Sequence, residues 1–267
     1  MSDALIKIVS AVFRLALMAG LLASCSIAHA ADPLLHASLR RVAHERVFFG
    51  HQSVGANILQ GVKQLSAKEG VPVFIKDQFV PENGEPLRKL ASFKAALGSG
   101  SRYDVALVKF CYVDIHANTD AAALFDQYRR AINELRATNP RTVFVHATLP
   151  LTTVQTGPKA WAKRLLGRSA YGTVENVRRD EYNRLLRATY AGREPIFDLA
   201  RIESTAPDGT LVTVTWDGIT APAMSPAYTD DGGHLNARGR LAAAREFITV
   251  LAQASSQKMG GLAAATR

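Results

Sequence analysis

Cysteine is scarce in this chain. Cys25 and Cys111 are the only two in 267 residues, so no disulfide framework holds the fold together. If Cys25 is cleaved or lipidated, Cys111 has no partner within the chain, and its place beside an apolar run makes it a small buried hydrophobe. The seven histidines are scattered at 29, 36, 44, 51, 116, 146 and 234, without an H-E-x-x-H or a close His-carboxylate cluster. No metal and no cofactor is therefore expected. Internal repeats, low-complexity blocks and a mid-chain Pro/Gly/Ser linker are also missing, which argues for one domain. With 48% hydrophobic and 21% charged residues the chain is neither collagen-like, coiled-coil nor disordered, and its length suffices for a single core. Acid is in deficit: 23 Asp+Glu face 32 Lys+Arg, a net charge of +9. An anionic partner would fit, but no nucleic-acid motif accompanies the charge.

The first thirty residues stand apart. Lys7 and Arg14 flank an apolar start, Leu15 to Leu22 carry no charge, and Ala28-His29-Ala30 precedes Ala31-Asp32-Pro33. This reads as a secretory signal peptide (1–30) cleaved after Ala30. Leu22-Ala23-Ser24-Cys25 also resembles the lipobox of bacterial lipoproteins, in which Cys25 becomes the lipidated first residue. A spanning helix fits less well, because the uncharged stretch barely reaches spanning length. Export, to the periplasm or beyond the cell, is expected in both readings, with a membrane tie only through lipid on Cys25. The leader holds Lys7 and Arg14 against Asp3, so its removal lowers the net charge by only one. A domain over 31–256 and a flexible tail over 257–267 complete the expected division.

Within that domain, short apolar runs alternate with helical stripes. Val47-Phe48-Phe49 stops at Gly50, and Val54, Ile58, Leu59, Val62 and Leu65 follow at helical spacing. Strands are expected at 71–75, 105–108, 142–145 and 195–197, with helices over 87–97, around Leu124 to Leu135 after a cap at Asn118 or Thr119, and after Thr173. Asn236 caps a last helix carrying Leu241, Ala244, Ile248 and Leu251. Five strands joined mostly by helices specify a three-layer α/β/α sandwich around a central, mainly parallel sheet. Ligands of such sheets sit off the carboxyl ends of the strands.

Two constellations lie there. Gly50-His51-Gln52-Ser53-Val54-Gly55 puts a serine between the first strand and first helix, as a nucleophile beside helical N–H groups or as a simple helix cap. Its spacing is not that of the G-x-S-x-G elbow. Asp230-Asp231-Gly232-Gly233-His234 precedes the last helix, and a carboxylate three residues before a histidine can fix the imidazole tautomer. A glycine-rich turn with a surface histidine is the plainer alternative.

The order of these blocks resembles the SGNH, or GDSL-type, hydrolases over Val47 to about Ala254. The resemblance implies Ser53 as nucleophile, His234 as general base and then acid, and Asp231 as its partner, Asp230 being spaced one residue too long. It departs in two places. His51-Gln52-Ser53 replaces Gly-Asp-Ser, and Cys111-Tyr112-Val113-Asp114 stands where Gly-x-Asn-Asp belongs, so the oxyanion asparagine falls on Val113. The expected oxyanion donors are then the N–H groups of Ser53 and Gly84, with Gln52, Lys109 or Tyr112 in place of the asparagine. His51 and Trp161 are candidate substrate contacts. Lys159, Trp161, Lys163, Arg164 and Arg168 fall in a long segment, Leu149 to Gly172, that forms either a lid or a short amphipathic helix with a solvated basic face. The implied activity is hydrolysis of short-chain esters on a carbohydrate or cell-envelope substrate, and the basic segment fits an anionic one. O-acyl transfer with the same residues and a noncatalytic binding role remain open.

Overall fold

The computed structural model describes residues 32–80 and 82–265. The leader, Cys25 included, lies outside the described residues. From Pro33 onward the chain is one compact unit. Its centre is a parallel ladder of β1 (Val47–His51), β2 (Ile75–Phe79), β3 (Val105–Val108) and β4 (Val143–Phe144), in the order β2-β1-β3-β4. Two residues further on, β5 (His146–Ala147) pairs in parallel with β6 (Ile196–Phe197). The strand expected at 142–145 thus becomes two short ones. Val145 N–H still donates to Ala106 O at 3.0 Å, while His146 N–H turns to Pro195 O at 3.0 Å.

Alternation along the strands divides the core into two. Val47, Phe49, Val105 and Leu107 face one side, against α1 (Pro33–Val42), α2 (Val54–Glu69) and α8 (Ala237–Ala265). Phe48, Ala106 and Val108 face the other, against α3 (Pro86–Leu97), α4 (Ala121–Thr138) and α6 (Val174–Tyr190). The period-2 side-chain geometry of a buried strand produces both layers from one apolar run. The α/β/α sandwich expected from the sequence is therefore present.

Several boundaries differ from expectation. β2 begins at Ile75 rather than Val71, because Pro72 lacks the N–H a ladder needs, and most of this edge strand is exposed. The cap of α4 is Asp120, whose carboxylate accepts Ala123 N–H at 2.9 Å; Thr119 instead bonds His116 N–H at 2.8 Å. Asn236 does cap α8, accepting Arg238 and Gly239 N–H groups at 3.1 Å. In place of a flexible tail after 256, α8 continues to Ala265, across Gly260 and Gly261. The long segment after β5 contains α5 (Pro158–Leu165), and α7 (Leu199–Ser204) follows β6. An antiparallel hairpin, β7 (Thr213–Trp216) and β8 (Ile219–Pro222), contacts α6 and was not anticipated. Its signal was legible: Asp217-Gly218, both at positive φ, between two β-rich runs.

Helix α2 crosses α8 at Gly61. A β-carbon there would lie 2.4 Å from Arg240 O and 2.8 Å from the Ala244 β-carbon. Gly61→Ala is expected to destabilise the fold by about 1–3 kcal/mol through overpacking, read from urea unfolding, despite alanine's better helix propensity.

Candidate active site

Ser53 occupies the N-cap position of α2 with φ 37° and ψ −93°, in a region that side chains other than glycine rarely adopt. The cause is the close approach of α2 to the end of β1. Gly55 lies directly on the His51 side chain, and a β-carbon at Gly55 would be 2.4 Å from the His51 β-carbon. The helix starts correctly, with Ala56 N–H donating to Ser53 O at 2.8 Å, yet the Ser53 hydroxyl makes no capping hydrogen bond. The half-exposed Ser53 side chain therefore does not offset the strain of its own backbone by capping the helix.

The second constellation folds on itself. Asp231 Oδ1 accepts the N–H groups of Gly233 at 2.9 Å and His234 at 2.8 Å, and Oδ2 takes His234 Nδ1 at 2.7 Å. Gly232, at φ 90°, permits this tight return. Partial burial opposes ionisation of Asp231, but the two N–H groups and the imidazole outweigh it and hold the carboxyl well below its usual range. An ionised Asp231 fixes the Nδ1–H tautomer and leaves Nε2 as the acceptor. Leu235 N–H donates to Asn57 Oδ1 at 3.2 Å, tying this loop to the first turn of α2. The Tyr112 ring stands edge-on to the imidazole with centroids 5.7 Å apart. Ser53 and the Asp231-His234 pair thus share one edge of the sheet, although no hydrogen bond joins Ser53 to His234 among the described residues. Such bonds are often unformed without substrate.

Asp114 organises the loop after β3. It accepts Cys111 N–H at 2.7 Å and Gly84 N–H at 2.8 Å, and binds the Lys89 ammonium at 2.7 and 2.9 Å in full burial. Gly84 lies beside this loop, but its N–H, expected as an oxyanion donor, already donates to Asp114 and is not open. Lys109 is also withdrawn: it is buried and donates to Phe110 O at 2.9 Å. Gln52 stays half-exposed, its Oε1 3.7 Å from Cys111 Sγ, which leaves the amide nitrogen without an acceptor among the described residues. Cys111 is buried and free, as its apolar surroundings suggested.

A cavity of about 600 Å³ adjoins the site, with Tyr112, Thr152, Lys163, Tyr171, Asp231 and Gly233 among its walls. The two expected substrate contacts are not on it. His51 is buried under Gly55, with Nε2 3.1 Å from Asp77 Oδ2; burial, working against Asp77, lowers its pKa. Trp161 is 65% exposed on α5, and Lys163, two positions on, reaches the wall in its place.

Asn176, Arg179 and Asn183, buried polar residues of α6, are not singled out by the sequence reading. Asn183 and Asn176 each clamp a backbone N–H and carbonyl, those of Leu149 and Thr152, at 2.7–3.1 Å. Between them Arg179 donates to Tyr112 O at 2.8 Å and to Thr152 Oγ1 at 3.0 Å. The signal was a polar series at 176, 179 and 183 on the inward stripe of a helix, where apolar residues are the rule. These clamps hold the cavity wall to the loop that carries Tyr112.

No protein-family model matches the chain, and no curated protein matches it in sequence. Solved structures do match. A protein from Streptococcus pneumonia, provisionally described as a platelet activating factor, is 17% identical over 88% of this chain and 99% of that one, with a TM-score of 0.52. A provisionally assigned lipolytic protein of the G-D-S-L family from Desulfitobacterium hafniense is 11% identical over 78% of this chain and 99% of that one, with a TM-score of 0.48. At such identities the likeness is one of fold.

Behind the cavity wall, Glu203 Oε2 accepts Leu151 N–H at 2.6 Å while Oε1 has no partner among the described residues. Burial, opposed by that N–H, Lys109 and Arg179, raises its pKa from 4.5 to about 8. The folded state then holds a proton that the unfolded chain releases, so stability is expected to fall as pH rises through this window. Urea unfolding between about pH 5 and 8 should show the decline in the parent and a flatter profile in Glu203→Gln.

Proposed function

We propose that this chain, which carries the fold of the SGNH hydrolases, is an exported serine esterase that removes acetyl or other short acyl groups from a carbohydrate or cell-envelope molecule. One observation carries the reading: a strained serine with an uncommitted hydroxyl shares a sheet edge with a histidine whose Nδ1 is fixed by an ionised aspartate. Ser53 Oγ attacks the ester carbonyl as His234 Nε2 takes its proton. Asp231 stabilises the imidazolium, which returns the proton to the leaving alcohol, and water then releases the acid from the acyl-serine. The Ser53 N–H at the start of α2, with the Gln52 amide or the Tyr112 hydroxyl, supplies the oxyanion contacts. The Lys163 ammonium on the cavity wall favours a substrate with an anionic group. Export, with the product either free or lipid-anchored through Cys25, rests on residues 1–30.

A noncatalytic binding protein is the second reading, favoured by Val113 and by the engagement of Gly84 N–H with Asp114. Loss of one oxyanion donor commonly costs about two to three orders of magnitude in rate. Short-chain nitrophenyl esters and acetylated glycans separate the two readings. The esterase predicts turnover that Ser53→Ala abolishes with Tm unchanged, and that Asp231→Asn lowers by about 10³–10⁴-fold in kcat. Equal rates from parent and Ser53→Ala, or no turnover of any ester, would assign the binding role.

A further inference from the structure

Helix α5 is amphipathic with its apolar face turned outward. Trp161 and Leu165, one turn apart, are 65% and 66% exposed, and Leu166 beyond them is 74% exposed. Inside, Ala160 is buried at 3% and Lys163 donates to Gln155 at 2.9 Å. Gly167, at φ 67°, ends the helix, with Arg168 N–H donating to Lys163 O at 2.8 Å, so the exposed leucines are held on an ordered turn. Around them lie the exposed Lys159 and Arg168, and no acidic residue occurs between Glu134 and Glu175. Neither of these cations is ion-paired among the described residues.

A soluble surface seldom presents Trp, Leu and Leu together on one short element, and such a patch marks an interaction site. Its chemistry is specific. Leucines need a hydrocarbon partner, an indole favours the boundary between apolar and wet surroundings, and unpaired cations need negative charge. We propose that α5 docks this protein on an anionic lipid bilayer. Trp161, Leu165 and Leu166 enter the headgroup-acyl boundary, while Lys159 and Arg168 meet anionic headgroups. Eight residues span about 12 Å, so the helix lies in the plane of the surface. Lys163, on the same helix, forms part of the cavity wall, so docking brings the cavity to the interface. This does not depend on the esterase reading. A soluble polyanion would be bound by the cations alone and would leave the apolar face unused.

The chain has two tryptophans, so Trp216→Phe leaves Trp161 as a local reporter that lipid on Cys25 cannot mimic. The probes are phosphatidylcholine vesicles with and without phosphatidylglycerol, and the same vesicles carrying brominated acyl chains. Docking predicts a blue-shifted Trp161 emission, quenched by bromine, with the anionic vesicles. Leu165→Glu with Leu166→Glu should weaken partition at least about ten-fold at unchanged Tm. Lys159→Gln with Arg168→Gln should weaken it about five-fold per charge. Unshifted, unquenched emission at saturating anionic lipid would overturn the proposal. Binding of dextran sulfate that persists in the double glutamate variant, without a vesicle response, would overturn it in favour of a polyanion.

Discussion

The architecture turns on how closely α2 approaches the carboxyl end of β1. Gly55 rests on the His51 side chain without room for a β-carbon, so the three residues between them, Gln52, Ser53 and Val54, must complete the turn in a compressed path. Ser53 absorbs that compression at φ 37°, which is why its hydroxyl is presented at the sheet edge and does not fold back onto the helix. His51 is thereby a support of the turn. Its imidazole is held from the other side by Asp77, across the β1-β2 pair. His51 and Gln52 precede the serine, and the turn is enforced by the packing of Gly55 on His51.

The same edge is secured at two further points by polar groups buried where a plain α/β core has none. Asp114 gathers Cys111, Gly84 and Lys89, and Arg179 with its flanking asparagines fastens the Tyr112 carbonyl to Thr152. Buried polar clusters of this kind are tolerable only when nearly every donor and acceptor is matched. Their effect is to fix the Tyr112 ring, which in turn stands against His234. Tyr112 thereby lines the cavity and flanks the imidazole from a fixed position.

Much of this was legible in the sequence because it rests on local chemistry. The buried runs at Val47 and Val105, the stripe from Val54 to Leu65 and the Asn236 cap each follow from periodicity or capping within a few residues, and together they specify the sandwich. Asp231 and His234 are three residues apart, so their pairing is also local. What depends on contacts distant in sequence was not legible. Gly84 looks like a donor until Asp114, thirty residues away, takes its N–H. His51 looks like a pocket residue until Gly55 covers it and Asp77 arrives from β2. Arg179 reads as one more charge on a helix unless its phase with Asn176 and Asn183 is noticed. Trp161 reads as a substrate contact, but the orientation of α5 turns it to the solvent.

The central claim is that packing and the Asp231-His234 pair together make Ser53 a nucleophile. A fluorophosphonate, which reacts with activated serines and mimics the tetrahedral intermediate, tests it most directly by intact mass and peptide mapping. The account predicts a single adduct per chain, located on Ser53, whose formation slows sharply in His234→Ala and disappears in Ser53→Ala. An adduct elsewhere, or labelling of Ser53 at the same rate without His234, would contradict it.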